Sequence, residues 1–219
     1  MRKLRILAVS ALAGALAAAV ATPARAADPV DVLTTGTAAG TNANIGDTIT
    51  AALKAGTTTT FRTTATGTTG ITCTDSTFTA TVVANPPAPD TATESLTAQT
   101  FGGCTANIVG VTAVNSITVN NLPYVTSVVS ATGAITVAGA DTAPLQTTIK
   151  LGTVLGTVTC VYTATGNAIT GQTANDDNSI TFTGQVFAKS SGPGTCAANG
   201  YFTAQYSPIL DAGQPVFVN

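Results

Sequence analysis

The chain has 219 residues, no histidine and no tryptophan; 8% of it is charged, and its formal net charge is −2. Without histidine, the Ser-His-Asp and Cys-His hydrolases, the common zinc sites and most neutral-pH general bases are excluded together. The few cations leave little to neutralise phosphates, so nucleic acid and anionic membrane surfaces are not expected partners.

Residues 1–26 read as a secretory signal peptide. Arg2, Lys3 and Arg5 form the cationic start, 6–20 is an apolar run, and Ala24-Arg25-Ala26 is a small-residue cleavage site. The run is shorter than the roughly 20 residues that span a bilayer, and it ends at Pro23. No twin arginine is present, which points to Sec-type export and a mature chain from Ala27 with no membrane attachment. That mature chain keeps Lys54, Arg62, Lys150 and Lys189 against ten acidic residues, a net charge of about −6.

Residues 27–44 read as an N-terminal extension. Beyond them apolar side chains alternate with threonine, which is β-branched and suits a pleated strand. Strands are predicted at 47–52, 58–65, 71–83, 94–101, 115–120, 124–130, 134–138, 147–154, 158–165, 179–187, 201–206 and 214–218. Breaks rich in Asn, Pro, Gly and Asp separate them, as at 85–90, 120–123 and 175–178. The only hint of a helix, at 50–55, runs into Gly56. The class is all-β, expected as one or more antiparallel β-sandwiches of immunoglobulin-like type.

The chain repeats itself. Arg62 corresponds to Lys150, Cys73 to Cys160, Gln99 to Gln185, Phe101 to Phe187, Cys104 to Cys196 and Asn107 to Asn199, in order and at a spacing of about 86 to 92 positions. Ile49-Thr50-Ala51-Ala52 corresponds likewise to Ile135-Thr136-Val137-Ala138. A boundary at 130–133 then divides the chain into β repeat 1 (45–130) and β repeat 2 (131–219), joined too tightly to be separate beads. Four cysteines in an exported chain imply two disulfides, and equal closure of the halves selects Cys73–Cys104 and Cys160–Cys196.

Catalytic groups are scarce. Glu94 is the only glutamate, so a glycosidase pair would have to rely on aspartates. No glycine-rich phosphate loop precedes a helix. A non-enzymatic protein without a cofactor is expected. The cluster Asn175, Asp176, Asp177 and Asn178 has calcium-type oxygens without EF-hand spacing, and reads as a hairpin turn. Arg62 and Lys150 read as solubilising cations. Thr97, Gln99 and Phe101, like Thr183, Gln185 and Phe187, line one strand face and are expected to pack between the repeats.

The halves differ most after Phe187, where six extra residues precede the cysteine. Loops on a disulfide-closed scaffold are where binding residues concentrate, and tyrosine offers a large contact with a polar handle. The candidate binding residues are therefore Lys189, Ser191, Gly192, Pro193, Tyr201 and Tyr206.

The signal peptide, the Ala/Thr/Gly-rich body and the motifs Thr72-Cys73-Thr74-Asp75-Ser76 and Thr97-Ala98-Gln99-Thr100-Phe101 resemble exported actinobacterial proteins of unknown function, a likeness that brings no catalytic residues. The two disulfides and the ending Pro215-Val216-Phe217-Val218-Asn219 also resemble the enediyne chromophore-carrier apoproteins in architecture, though those chains are shorter and space their cysteines differently. The expected function is a secreted structural or interaction protein of the cell envelope or extracellular space, capable of self-association and partnered by a protein or cell-wall component. The alternatives are a carrier of a small apolar ligand or glycan, and an inhibitor of an extracellular enzyme that presents the 189–195 loop.

Overall fold

Threonine alternating with apolar side chains makes this chain strand-forming almost from end to end. The computed structural model describes residues 29–219; the expected signal peptide at 1–26 lies outside the described residues. Fifteen strands follow one another among them. They are β1 (Leu33–Thr35), β2 (Thr41–Asn42), β3 (Thr48–Leu53), β4 (Thr59–Arg62), β5 (Gly70–Ala84), β6 (Thr91–Ala106), β7 (Val111–Asn120) and β8 (Tyr124–Val129). After these come β9 (Ala134–Ala138), β10 (Gln146–Thr153), β11 (Gly156–Ala164), β12 (Ala168–Ala174), β13 (Ser179–Ser191), β14 (Asn199–Asp211) and β15 (Gln214–Val218).

Eight of them close on themselves. β3, β5, β6, β8, β9, β12, β13 and β14 pair in that order, always antiparallel, and β14 pairs back onto β3. The expected immunoglobulin-like sandwich is therefore corrected to a closed barrel. The physical reason lies in strand length and coiling. β5, β6, β13 and β14 run 13 to 16 residues, and the register shifts between Val82 and Ala84 and between Phe182 and Gln185. Such bulges raise the twist, and a long, strongly coiled sheet buries its edges by closing.

The four long strands extend beyond the barrel and carry the remaining ones. β4 lies between β5 and β14, while β11 adds to the far half of β13, β10 to β11, and β7 to β10. No ladder joins β7 to β6, so a seam runs between Thr97–Ala106 of one strand and the whole of the other. At the opposite end β15, β1 and β2 form a small sheet that caps the barrel. Asparagines fasten this cap. The Asn85 amide donates to the carbonyls of Leu33 and Ala43 at 2.8 and 2.9 Å, and its oxygen accepts from the Leu33 N–H.

The barrel is apolar inside and hydroxylated outside. On β5, Ser76, Phe78, Ala80 and Val82 are buried and alternate with Thr77, Thr79 and Thr81, which face outward. Cross-strand hydroxyl pairs add to the outer lattice, as where Thr77 and Thr100 meet at 2.7 Å. Transmembrane barrels carry the opposite polarity, with an apolar band on the outer face. The two disulfides are Cys73–Cys104, across β5 and β6, and Cys160–Cys196, from β11 to the loop after β13.

Candidate functional site

An eight-stranded barrel has an interior just wide enough either to fill with side chains or to hold one small ligand. Here the interior is not filled. Small residues occupy many inward positions, among them Ala51, Ser76, Ala80, Ala92, Thr126 and Ala204, all buried. With so few aromatic rings to reach across, a cavity of about 130 Å³ remains, walled by Ile49, Phe78, Val128, Val137, Ile180 and Phe182 among others. That is close to the volume of an engineered apolar cavity that takes up benzene.

Of the polar groups that face this space, two bear on what it can hold. The first is a closed hydrogen-bond cluster. Tyr206 is 1% exposed, with its hydroxyl 3.0 Å from Ser76 Oγ. The Gln99 amide donates to both oxygens, at 3.0 and 2.7 Å, and Ser76 in turn donates to the Thr100 carbonyl at 2.8 Å. Burial pushes the Tyr206 phenol up despite these bonds. The cluster satisfies itself, and the ring of Phe78 stands edge-on to Tyr206 at 5.2 Å.

The second is Glu94, on β6 between Val82 of β5 and Thr126 of β8 in the ladder. It is 7% exposed and, among the described residues, is the only charged side chain lining the cavity. Burial alone pushes its carboxyl from 4.5 up to about 7, and no hydrogen bond or ion pair among the described residues offsets that burial. Removing a carboxylate from water without a partner is costly, which is why the neutral acid is favoured.

Beyond the cavity lies an aromatic floor. Phe61 packs on Tyr162 at 5.2 Å and on Phe187 at 5.7 Å, and Phe187 meets Phe202 at 6.4 Å. The Phe61 ring can sit there because residue 200 is glycine: a Cβ on Gly200 would stand 1.9 Å from the ring. Past this floor a second cavity of about 140 Å³ opens beneath residues 194–197, with Arg62 and Tyr162 in its wall. Phe61, Ile71 and Ile149 line both spaces and so separate them.

The six candidate binding residues are not brought together. Tyr206 faces the main cavity. Tyr201 is half-buried on β14, paired with Arg62 and Val186. Lys189, Ser191, Gly192 and Pro193 lie at the disulfide-bearing tip, in the wall of neither cavity. The Lys189 ammonium is turned back on its own loop, donating to the carbonyls of Pro193 and Cys196 at 3.3 Å. Within the 175–178 turn, Asn175 and Asn178 bond the backbone of β15. Asp177 pairs with Lys54 at 2.7 Å, which together with Ser179 holds its carboxyl below the usual range. Among the described residues no group of three His, Cys, Asp or Glu side chains lies close enough to hold a metal ion.

Glu94 is the residue that sequence reasoning passed over. Its signal was its phase: Ala92, Glu94 and Leu96 share one face of a strand whose other members are apolar, so a lone acid there is directed inward. Comparison with family models, curated proteins and solved structures finds no match for this chain.

Proposed function

We propose that this protein is a secreted, non-catalytic binder of a small, largely apolar molecule held inside the barrel. The observation that carries the reading is the apolar cavity of about 130 Å³ retained inside the barrel and beneath the strands β4, β7 and β10 that extend its wall. A structural protein gains nothing from such a void, because unfilled space in a core costs roughly 24 cal/mol for each Å³. The two disulfides fit an oxidising, extracellular setting. The reading also takes the chain as two copies of one unit. In its support, stepping four places around the ring carries β3 onto β9 and β6 onto β13, the strands that hold the corresponding residues Ile49 and Ile135, and Phe101 and Phe187.

Toluene followed by methyl NMR tests it. Shifts confined to the methyls of Ile49, Val128, Val137 and Ile180 are expected. Shifts scattered over surface methyls, or none at millimolar toluene, would remove the reading.

A second reading, an interaction protein of the cell envelope, draws on one specific feature. Val109, Val154 and Leu155 stand exposed at the turns that flank the Val111 and Thr153 end of the ladder between β7 and β10. Apolar tips gathered at one end favour association with another surface or a second copy.

A further inference from the structure

The class of ligand follows from the one polar demand that the chamber leaves open, on the reading that the barrel interior is a binding site. We propose that the ligand is a small apolar molecule bearing a single basic nitrogen, with its ammonium set against the Glu94 carboxylate and its apolar body in the rest of the cavity.

Glu94 is more than nine-tenths buried, faces the cavity and has no hydrogen-bond or ion-pair partner among the described residues. No described residue supplies a counter-charge. Among the described residues Lys54 is engaged by Asp177, Arg62 by the Thr68 carbonyl and Lys189 by its own loop, while Lys150 is exposed on β10. The other polar cluster, Ser76, Gln99 and Tyr206, is already hydrogen-bonded within itself and asks nothing of a guest. An anionic guest would add a second negative charge in an apolar enclosure. A neutral guest shares only a hydrogen bond with the protonated acid. A cation adds a charge–charge attraction, which is stronger against an apolar lining than in open water.

The pairing has a pH signature. The neighbours of Glu94 in the ladder, Val82 and Thr126, do not titrate. The other ionisable groups in the lining are the phenols of Tyr124 and Tyr206, both pushed up by burial and neutral in this range. The ammonium needs the carboxylate form, so binding below the Glu94 transition at about 7 releases a proton. Affinity then rises roughly tenfold per pH unit below that point and levels off above it.

Calorimetry with benzylamine, toluene, benzyl alcohol and benzoate on the wild type and on Glu94→Gln provides the test. At pH 8 benzylamine is expected to bind at least tenfold tighter than toluene, with benzoate weakest, and the gap should close toward pH 5. Glu94→Gln should remove the advantage of benzylamine over toluene and flatten its pH profile. Equal binding of benzylamine and toluene by the wild type, with no pH dependence, would overturn the amine proposal and leave the chamber standing. Tightest binding of benzyl alcohol would overturn it in favour of a neutral hydrogen-bonding guest. If no probe binds the wild type, the chamber reading itself falls. The wild-type pH profile decides the matter even should the variant fail to fold.

Discussion

A carboxyl buried in an apolar cavity wall leaves a mark on stability as well as on binding. The carboxyl of Glu94 titrates at about 7 in the folded chain and at 4.5 when free. Between those values the folded protein holds a proton that the unfolded chain has released. Stability therefore falls as pH rises from about 4.5 to about 7 and is level on either side. The size is roughly 3 kcal/mol for a shift of this order. Asp211, raised by its own burial and by Asp47, adds in the same direction; Asp177, held low by Lys54, acts with the opposite sign at lower pH but is exposed and contributes little. In urea unfolding from pH 4 to pH 8, Glu94→Gln is expected to remove most of the decline and to exceed the wild type in stability above pH 7. Parallel curves for the two proteins would show that Glu94 is not buried uncompensated. At this scale the sequence was partly legible. The duplicated pattern picked out the pairs Cys73–Cys104 and Cys160–Cys196 from three possible connectivities. Tyr206 was singled out for its ring, but its place inside the barrel depended on β14 closing onto β3, which no local pattern reveals.

Among the elements, the contact between β4 and β14 sets the boundary of the chamber. The Phe61 ring lies across Gly200, where a methyl group would overlap it at 1.9 Å. Gly200→Ala must push the ring toward Tyr162 and Phe187, and overpacking of this kind costs about 1–3 kcal/mol. Urea unfolding of the variant should show that loss; a change under 0.5 kcal/mol would mean that the ring has free space to move. Most strands were legible from alternation, with 134–138 and 214–218 agreeing at both ends. β12 was not. Gly171 in its middle reads as a breaker, yet the glycine is there because a side chain would strike the Thr181 carbonyl and the Phe182 ring. β1 and β2 are three and two residues long, too short for any period, and they exist because β15 and the side chains of Asn85 and Asn219 hold them.

For the whole molecule, a sandwich and a barrel use the same alternation, and only the pairing of distant ends tells them apart. The strand content was thus written in the residues, while closure, and with it the cavity, arose from long-range pairing. Loops of 31 and 36 residues are closed by the disulfides, each contributing about 3.5–4 kcal/mol in the chain-entropy model. That contribution offsets part of the cost of an interior left unfilled. The seam between β6 and β7 lies beside Phe101, Ile117 and Val119, which line the cavity, and marks the place where the wall lacks a ladder. The central claim is that the barrel interior receives a guest. Diffraction from crystals soaked in bromobenzene measures this directly, through the anomalous signal of bromine. A bromine peak is expected inside the barrel, among Phe78, Val128, Ile180 and Phe182. A barrel interior without a peak, with bromine only on the surface or beneath residues 194–197, would contradict it.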